Sequence, residues 1–183
     1  MCRREDKIEK MSENASDLHR QQRLYWDQMF ELKRAVSYIR LYRDSLGKRV
    51  AWLGALKAIA SCAGIGAWVI WKEYAFVWGA IIAASQVADA LKDVFPFAKK
   101  HKAACEHAIT LANLFIDVQL EWESVFSGRY TDDEIMKRLH QLRKLQLDTE
   151  SRNFPDGLAT RDALLDRAKR EATDYLAATY GVN

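Results

Sequence analysis

Five polar residues sit inside otherwise apolar stretches of this chain, and they are the first place to look for chemistry: Lys57, Ser61, Ser85, Gln86 and Asp89. A cation, an anion, two hydroxyls and an amide at such positions suit ion or proton conduction, or contact between subunits, because polar groups in hydrocarbon must find partners or water. Lys57 can equally snorkel to the headgroups while Asp89 sits at the boundary. Other constellations are weaker. His101 and Cys105 stand four apart and could share a metal ion, but no second ligand pair with zinc spacing accompanies them, and packing is the simpler role. Gly64-Ile65-Gly66 lies within an apolar run and lacks the strand-to-helix setting of a phosphate loop. Asp132, Asp133 and Glu134 are accounted for by helix-start chemistry. Arg20 with Arg23, and Arg138 with Arg143 and Lys144, read as solvated helix faces rather than as a site for a phosphorylated signal. Nothing here supports an enzyme, a cofactor or a metal centre.

The elements that position the five polar residues are two neighbouring apolar runs, Val50 to Trp71 and Tyr74 to Leu91, separated by Lys72-Glu73. A spanning helix needs about 20 largely apolar residues. The first run reaches that length only with Lys57 counted, and the second is slightly short, so a buried soluble hairpin is the competing expectation. Flanking charge favours the membrane. Arg40, Arg43, Lys48 and Arg49 precede the hairpin and Lys92, Lys99, Lys100 and Lys102 follow it, which places both termini in the cytoplasm by the positive-inside rule. Aromatics gather in two belts. Trp68, Trp71, Tyr74, Phe76 and Trp78 surround the connector, and Trp52, Phe95 and Phe97 lie near the opposite end. With the turn centred between Lys72 and Glu73, Lys57 falls opposite Asp89 and Ser61 opposite Ser85, so the hairpin can neutralise its own charge. Small residues at fourfold spacing, Ala60 with Gly64 and Gly79 with Ala83, permit close helix contact.

The flanks read as helices. Leu18, Tyr25, Leu32, Ile39 and Leu46 recur every seven residues, predicting a long amphipathic helix from about Ser12 to Leu46. Beyond it Gly47 is either a hinge or a position the helix passes through, in which case Lys57 continues the same face. Pro96, between Phe95 and Phe97, marks a break or kink at the membrane exit. Ala104, Ala108, Leu111, Phe115, Val118, Trp122 and Val125 form a second long stripe, the natural partner of the first. Thr131 to Glu134 has capping-box spacing and opens a helix carrying Ile135, Leu139, Leu142 and Leu145. After the turn Asn153 to Gly157, a last helix is predicted from about Thr160 to Tyr180, with Leu165, Ala168, Ala172 and Tyr175 on one face and Gly181 as its stop.

The expected fold is therefore all-α, a two-helix transmembrane hairpin whose long amphipathic flanks form a cytoplasmic helical bundle. Its divisions are residues 1–49, the N-terminal cytoplasmic helix, 50–95, the hairpin, and 96–183, the C-terminal helical region. Across 183 residues the net charge is +3, too mild for a nucleic-acid partner, and basic residues beside the hairpin suit anionic lipid. Cys2, Cys62 and Cys105 form no disulfide framework. Met1-Cys2-Arg3-Arg4-Glu5 leads into a polar helix, so no cleavable signal is expected.

That layout, with the motif Tyr38-Ile39-Arg40-Leu41-Tyr42-Arg43 on the first helix, resembles the SLATT class of bacterial two-transmembrane effectors. The resemblance covers most of the chain as architecture and carries over no functional residue. It implies an anti-phage effector of the bacterial inner membrane that forms pores or otherwise damages the bilayer once a partner protein or a nucleotide second messenger releases it. A homo-oligomer is the expected active form. The competing class is a non-enzymatic scaffold, either a membrane anchor that recruits a partner or a soluble bundle with the hairpin as its core.

Overall fold

The computed structural model describes the backbone of residues 2–70, 75–90 and 96–181, with side chains described for residues 20–58, 76, 77, 79, 80, 82–84, 86, 87 and 96–181. Trp71 and Tyr74 lie outside the described residues, as do the side chains of Ser61, Trp68, Trp78, Ser85 and Asp89. The described chain is all-α: α1 (Cys2–Ile70), α2 (Ala75–Ala90), α3 (Phe97–Phe126), α4 (Asp132–Asn153) and α5 (Asp162–Tyr180). Two compact units divide it, residues 1–41 with 106–183, and residues 42–105.

The first unit is a bundle in which α3 and α5 run antiparallel to the N-terminal part of α1. The order of contacts fixes that sense. Along α1, Gln22 donates to the Val125 carbonyl at 2.9 Å and Tyr25 to Glu121 at 2.9 Å, so α3 descends as α1 rises. Arg40 pairs with Glu171 at 2.6 Å while Trp26 meets Tyr180 edge-on at 5.4 Å, giving the same sense for α5. Helix α4 completes the bundle: Arg143 donates to Gln28 at 2.8 Å, and Arg138 donates to Glu121.

The heptad of α1 supplies the centre. Tyr25, Met29 and Leu32 are fully buried, and Ile39 follows at 1% exposure, as a seven-residue repeat facing three helices requires. On α3 the expected stripe is buried at Ala108, Leu111, Phe115, Val118 and Val125, with Trp122 half-buried against Trp26 at 5.2 Å. Two stripes depart from expectation. On α4, Ile135, Leu139 and Leu142 are buried, but Leu145 is exposed and Thr149 takes the next inward position. The step from 142 to 149 is two helical turns and keeps the face, whereas Leu145 begins to rotate away from it. On α5 the inward residues are Ala168, Ala172 and Leu176, in steps of four, so Tyr175 lies at the edge, where its ring meets Phe115 at 5.8 Å.

Helix ends follow local chemistry. At α4 Thr131 accepts from the Glu134 amide, and the Glu134 carboxylate accepts from the Thr131 amide at 2.8 Å, completing the capping box. The Thr131 amide and the Thr131 hydroxyl, which donates to the same carboxylate at 2.9 Å, hold the Glu134 carboxyl below its usual range. Gly181, in the left-handed region at φ 65, stops α5. The start of α5 has no side-chain cap at Arg161. Its anchor comes from α1 instead: the Tyr38 hydroxyl donates to the Ala159 carbonyl at 2.7 Å and accepts from the Arg161 amide at 3.1 Å.

The loop between α4 and α5 also turns Phe154 inward, edge-on to His107 at 5.5 Å. His107 is buried and its Nδ1 makes no hydrogen bond among the described residues. Burial pushes its pKa below the ordinary 6.5. A depressed base favours folding only while the unfolded chain is also neutral. Below about pH 6.5 the unfolded state takes up a proton that the folded state refuses, and stability falls as pH drops toward the lowered value. The melting temperature should therefore decline between neutral and mildly acidic pH, and His107→Leu should flatten that decline. An unaltered slope in the variant would remove His107 as its cause.

Candidate functional site

The second unit holds the apolar runs and the residues beside them. Helix α1 passes through Gly47 without a break, the alternative to a hinge. A Cβ at Gly47 would stand 3.2 Å from His101 Nε2, so the glycine serves the close approach of α1 and the first turns of α3. Pro96 precedes α3 and its carbonyl accepts from the Lys100 amide at 2.9 Å, so it initiates that helix.

About one turn from the Gly47–His101 contact, a shallow groove of about 430 Å³ opens between the two helices, lined by Lys48, Arg49, Trp52, Leu53 and Phe97. The Arg49 guanidinium lies over the Phe97 ring, 5.7 Å from its centroid. Trp52 is 67% exposed, an unusual state for the largest apolar side chain. The nearby exposed basic residues are Lys48, Arg49, Lys99, Lys100 and Lys102. Basic and aromatic side chains thus share one end of the unit, as at a bilayer surface.

Farther along, α2 places Phe76, at 88% exposure, and Val77, Ile82 and Val87 in the open together with Gly79, Ala80, Ala83 and Ala84. At 100° per residue these positions spread over more than half the helix circumference. No Cβ partner lies within 4 Å at Gly79 among the described residues, which leaves the Gly79 and Ala83 face open. Among the described residues no helix is long and apolar enough to cross a membrane.

Of the five polar candidates, Lys57 and Gln86 are described and both are exposed. The continuous helix carries Val50 and Leu53 into half-buried positions, but Lys57 is not drawn inward with them. Ser61, Ser85 and Asp89 have side chains outside the described residues, so the pairing of Lys57 with Asp89 has no geometry here. Among the interface aromatics, Trp52, Phe76 and Phe97 have described side chains. His101 Nε2 lies 3.9 Å from Cys105 Sγ, and no group of three or more metal-ligating side chains gathers among the described residues.

Several residues with defined roles escape a reading of the sequence. Glu121 accepts from Tyr25 and from Arg138, whose guanidinium also lies 4.2 Å from the centre of the Tyr130 ring. Burial and the Glu121 carboxylate raise the Tyr25 phenol far above its ordinary pKa, keeping it a donor. Lys33 stands 3.5 Å from the Tyr175 ring centre and 4.9 Å from that of Phe115, with its pKa lowered by burial and then by Arg40. Tyr38 and Arg40, in the motif that carries the family resemblance, are bundle clamps. Each arrangement joins residues far apart in the chain, and the separation hid it. Comparison of the chain with family models, with curated proteins and with solved structures yields no match.

Proposed function

We propose that this protein is a membrane effector of a bacterial anti-phage system, which inserts the hairpin around residues 50–95 into the inner membrane, with both termini cytoplasmic, and perturbs it. The observation that carries this reading is the apolar surface of α2, open over more than half its circumference and crowned by Phe76 at 88% exposure. An apolar face this wide needs hydrocarbon or other protein against it. The basic and aromatic end at Lys48, Arg49, Trp52 and Phe97 supplies the matching cytoplasmic boundary. At about 1.5 Å per residue, the 16 residues of α2 cover about 24 Å, a length that a locally thinned bilayer accommodates. Release by a regulatory protein or a nucleotide second messenger then lets hairpins associate through the open Gly79 and Ala83 face, as a homo-oligomer. Lys57, Ser61, Ser85, Gln86 and Asp89 line the resulting polar path.

A second reading is a membrane anchor or a soluble scaffold that recruits a partner; its scaffold form is compatible with the finding that among the described residues no helix is long and apolar enough to cross a membrane. Membrane potential during induced expression, followed with a voltage-sensitive dye beside carbonate-resistant fractionation, separates the readings. Depolarisation with the protein in the inner membrane is expected, and Lys57→Leu or Asp89→Leu should abolish it without loss of protein. Depolarisation undiminished in both variants would remove these two residues from the mechanism. Recovery in the soluble fraction would sink the effector reading.

A further inference from the structure

The groove on the second unit has its charges and its apolar walls in a definite order. Lys48 and Arg49 come first along α1, and Trp52 and Leu53 follow one turn later, inside the apolar run. From Lys48 to Leu53 the helix rises about 7.5 Å, which is the distance from a headgroup phosphate to the first acyl carbons to within a few ångströms. Phe97 faces them from the first residue of α3. That helix has 30 residues, and its opening amides are unpaired within the helix and carry the positive end of its dipole. The Phe97 ring keeps the Arg49 guanidinium beside this end, so a fixed cation and a helix terminus converge. The exposed indole of Trp52 forms an apolar wall beyond them.

We propose that this groove seats one anionic phospholipid, with its phosphate against Lys48, Arg49 and the start of α3 and its upper acyl chain along Trp52, Leu53 and Phe97. The charge order along α1 selects a lipid over a free phosphate, because the apolar half of the groove would otherwise stay open. The proposal rests on the membrane reading above and adds a selective, stoichiometric lipid contact to it.

Full-length protein reconstituted into phosphatidylcholine vesicles with a minor fraction of phosphatidylglycerol provides the test. Bromine is placed on the acyl chains of either lipid at equal mole fraction, and the quenching of Trp52 is isolated by subtracting the Trp52→Phe variant. Brominated phosphatidylglycerol should quench Trp52 more effectively than brominated phosphatidylcholine, with an apparent preference of about fivefold or more, the factor for one basic residue at an anionic surface. The double variant Lys48→Gln/Arg49→Gln should bring the preference to unity, while Arg23→Gln, an exposed arginine of the other unit, should leave it unchanged. Equal quenching by the two lipids in the unaltered protein overturns the seat and leaves the membrane reading standing. A preference that survives the double variant, or one abolished by millimolar glycerol phosphate, also overturns it, the latter by making the site one for soluble phosphate. Failure to enter vesicles of phosphatidylcholine alone in carbonate-resistant form overturns the membrane reading and the seat together.

Discussion

Leu32→Ala should lower the unfolding free energy of the bundle by about 2–5 kcal/mol. Leu32 is fully buried on α1, one heptad from Tyr25 and one from Ile39, in the stretch whose Tyr25, Gln28 and Arg40 bond to α3, α4 and α5 in turn. Removing its isobutyl group costs the transfer of those carbons and leaves a cavity that four helices cannot readily collapse into. Leu24 provides the control, since it lies eight residues earlier on the same helix but is 36% exposed, and Leu24→Ala should cost well under about 1 kcal/mol. Denaturant unfolding followed by the emission of Trp26 and Trp122, which touch each other within the bundle, measures both. Equal effects would mean that the seam is not the centre of the unit.

Ile82→Lys should shift most of the protein out of the carbonate-resistant membrane fraction, and Val87→Lys should do so less. Ile82 lies at the middle of α2 and Val87 near its end, both with exposed side chains. A lysine at the centre of a span costs about 2.5–3.5 kcal/mol on insertion scales, while one near the boundary extends its ammonium to the headgroups. The graded outcome is specific to a bilayer. An open helix face in water would accept both lysines without change, and a protein interface would resist them without regard to depth. Equal membrane fractions for the two variants and the parent chain would remove α2 from the hydrocarbon.

The bundle was legible in the sequence wherever burial repeats along one helix. The seven-residue recurrence at Tyr25, Leu32, Ile39 and Leu46 marks buried positions, and the alternating threes and fours of α3 end at Val125, also buried. The capping box at Thr131 was legible for the same reason, as its two partners are three residues apart. Pairings set by the bundle were not. Tyr38 reaches Ala159 across 121 residues, and Phe154, in a segment with the composition of a surface turn, is buried beside His107. Leucine spacing gives Ile135, Leu139 and Leu142 on the inner face of α4 but not its last member, since Leu145 is exposed and Thr149 turns inward with its hydroxyl donating to the Leu145 carbonyl at 2.8 Å. Of the candidate site, the basic and aromatic composition was visible. The groove was not, since Phe97 joins Lys48 and Arg49 only through the approach of α3 at Gly47.

The bundle is assembled from both sides of the central insert, with residues 1–41 on one side and 106–183 on the other. A nascent chain therefore meets its own partners late. Tyr25 waits for Glu121, 96 residues downstream, which at 5–20 residues per second is roughly 5–20 s of synthesis. Throughout that interval Tyr25, Met29 and Leu32 have no helix of the bundle to cover them, and both apolar runs are synthesised within it. The order of biogenesis follows: both apolar runs are made before the bundle can close, and the seam of α1 stays uncovered in the meantime. A polypeptide arrested before Glu121 would leave Tyr25 without its acceptor and the seam of α1 open to solvent.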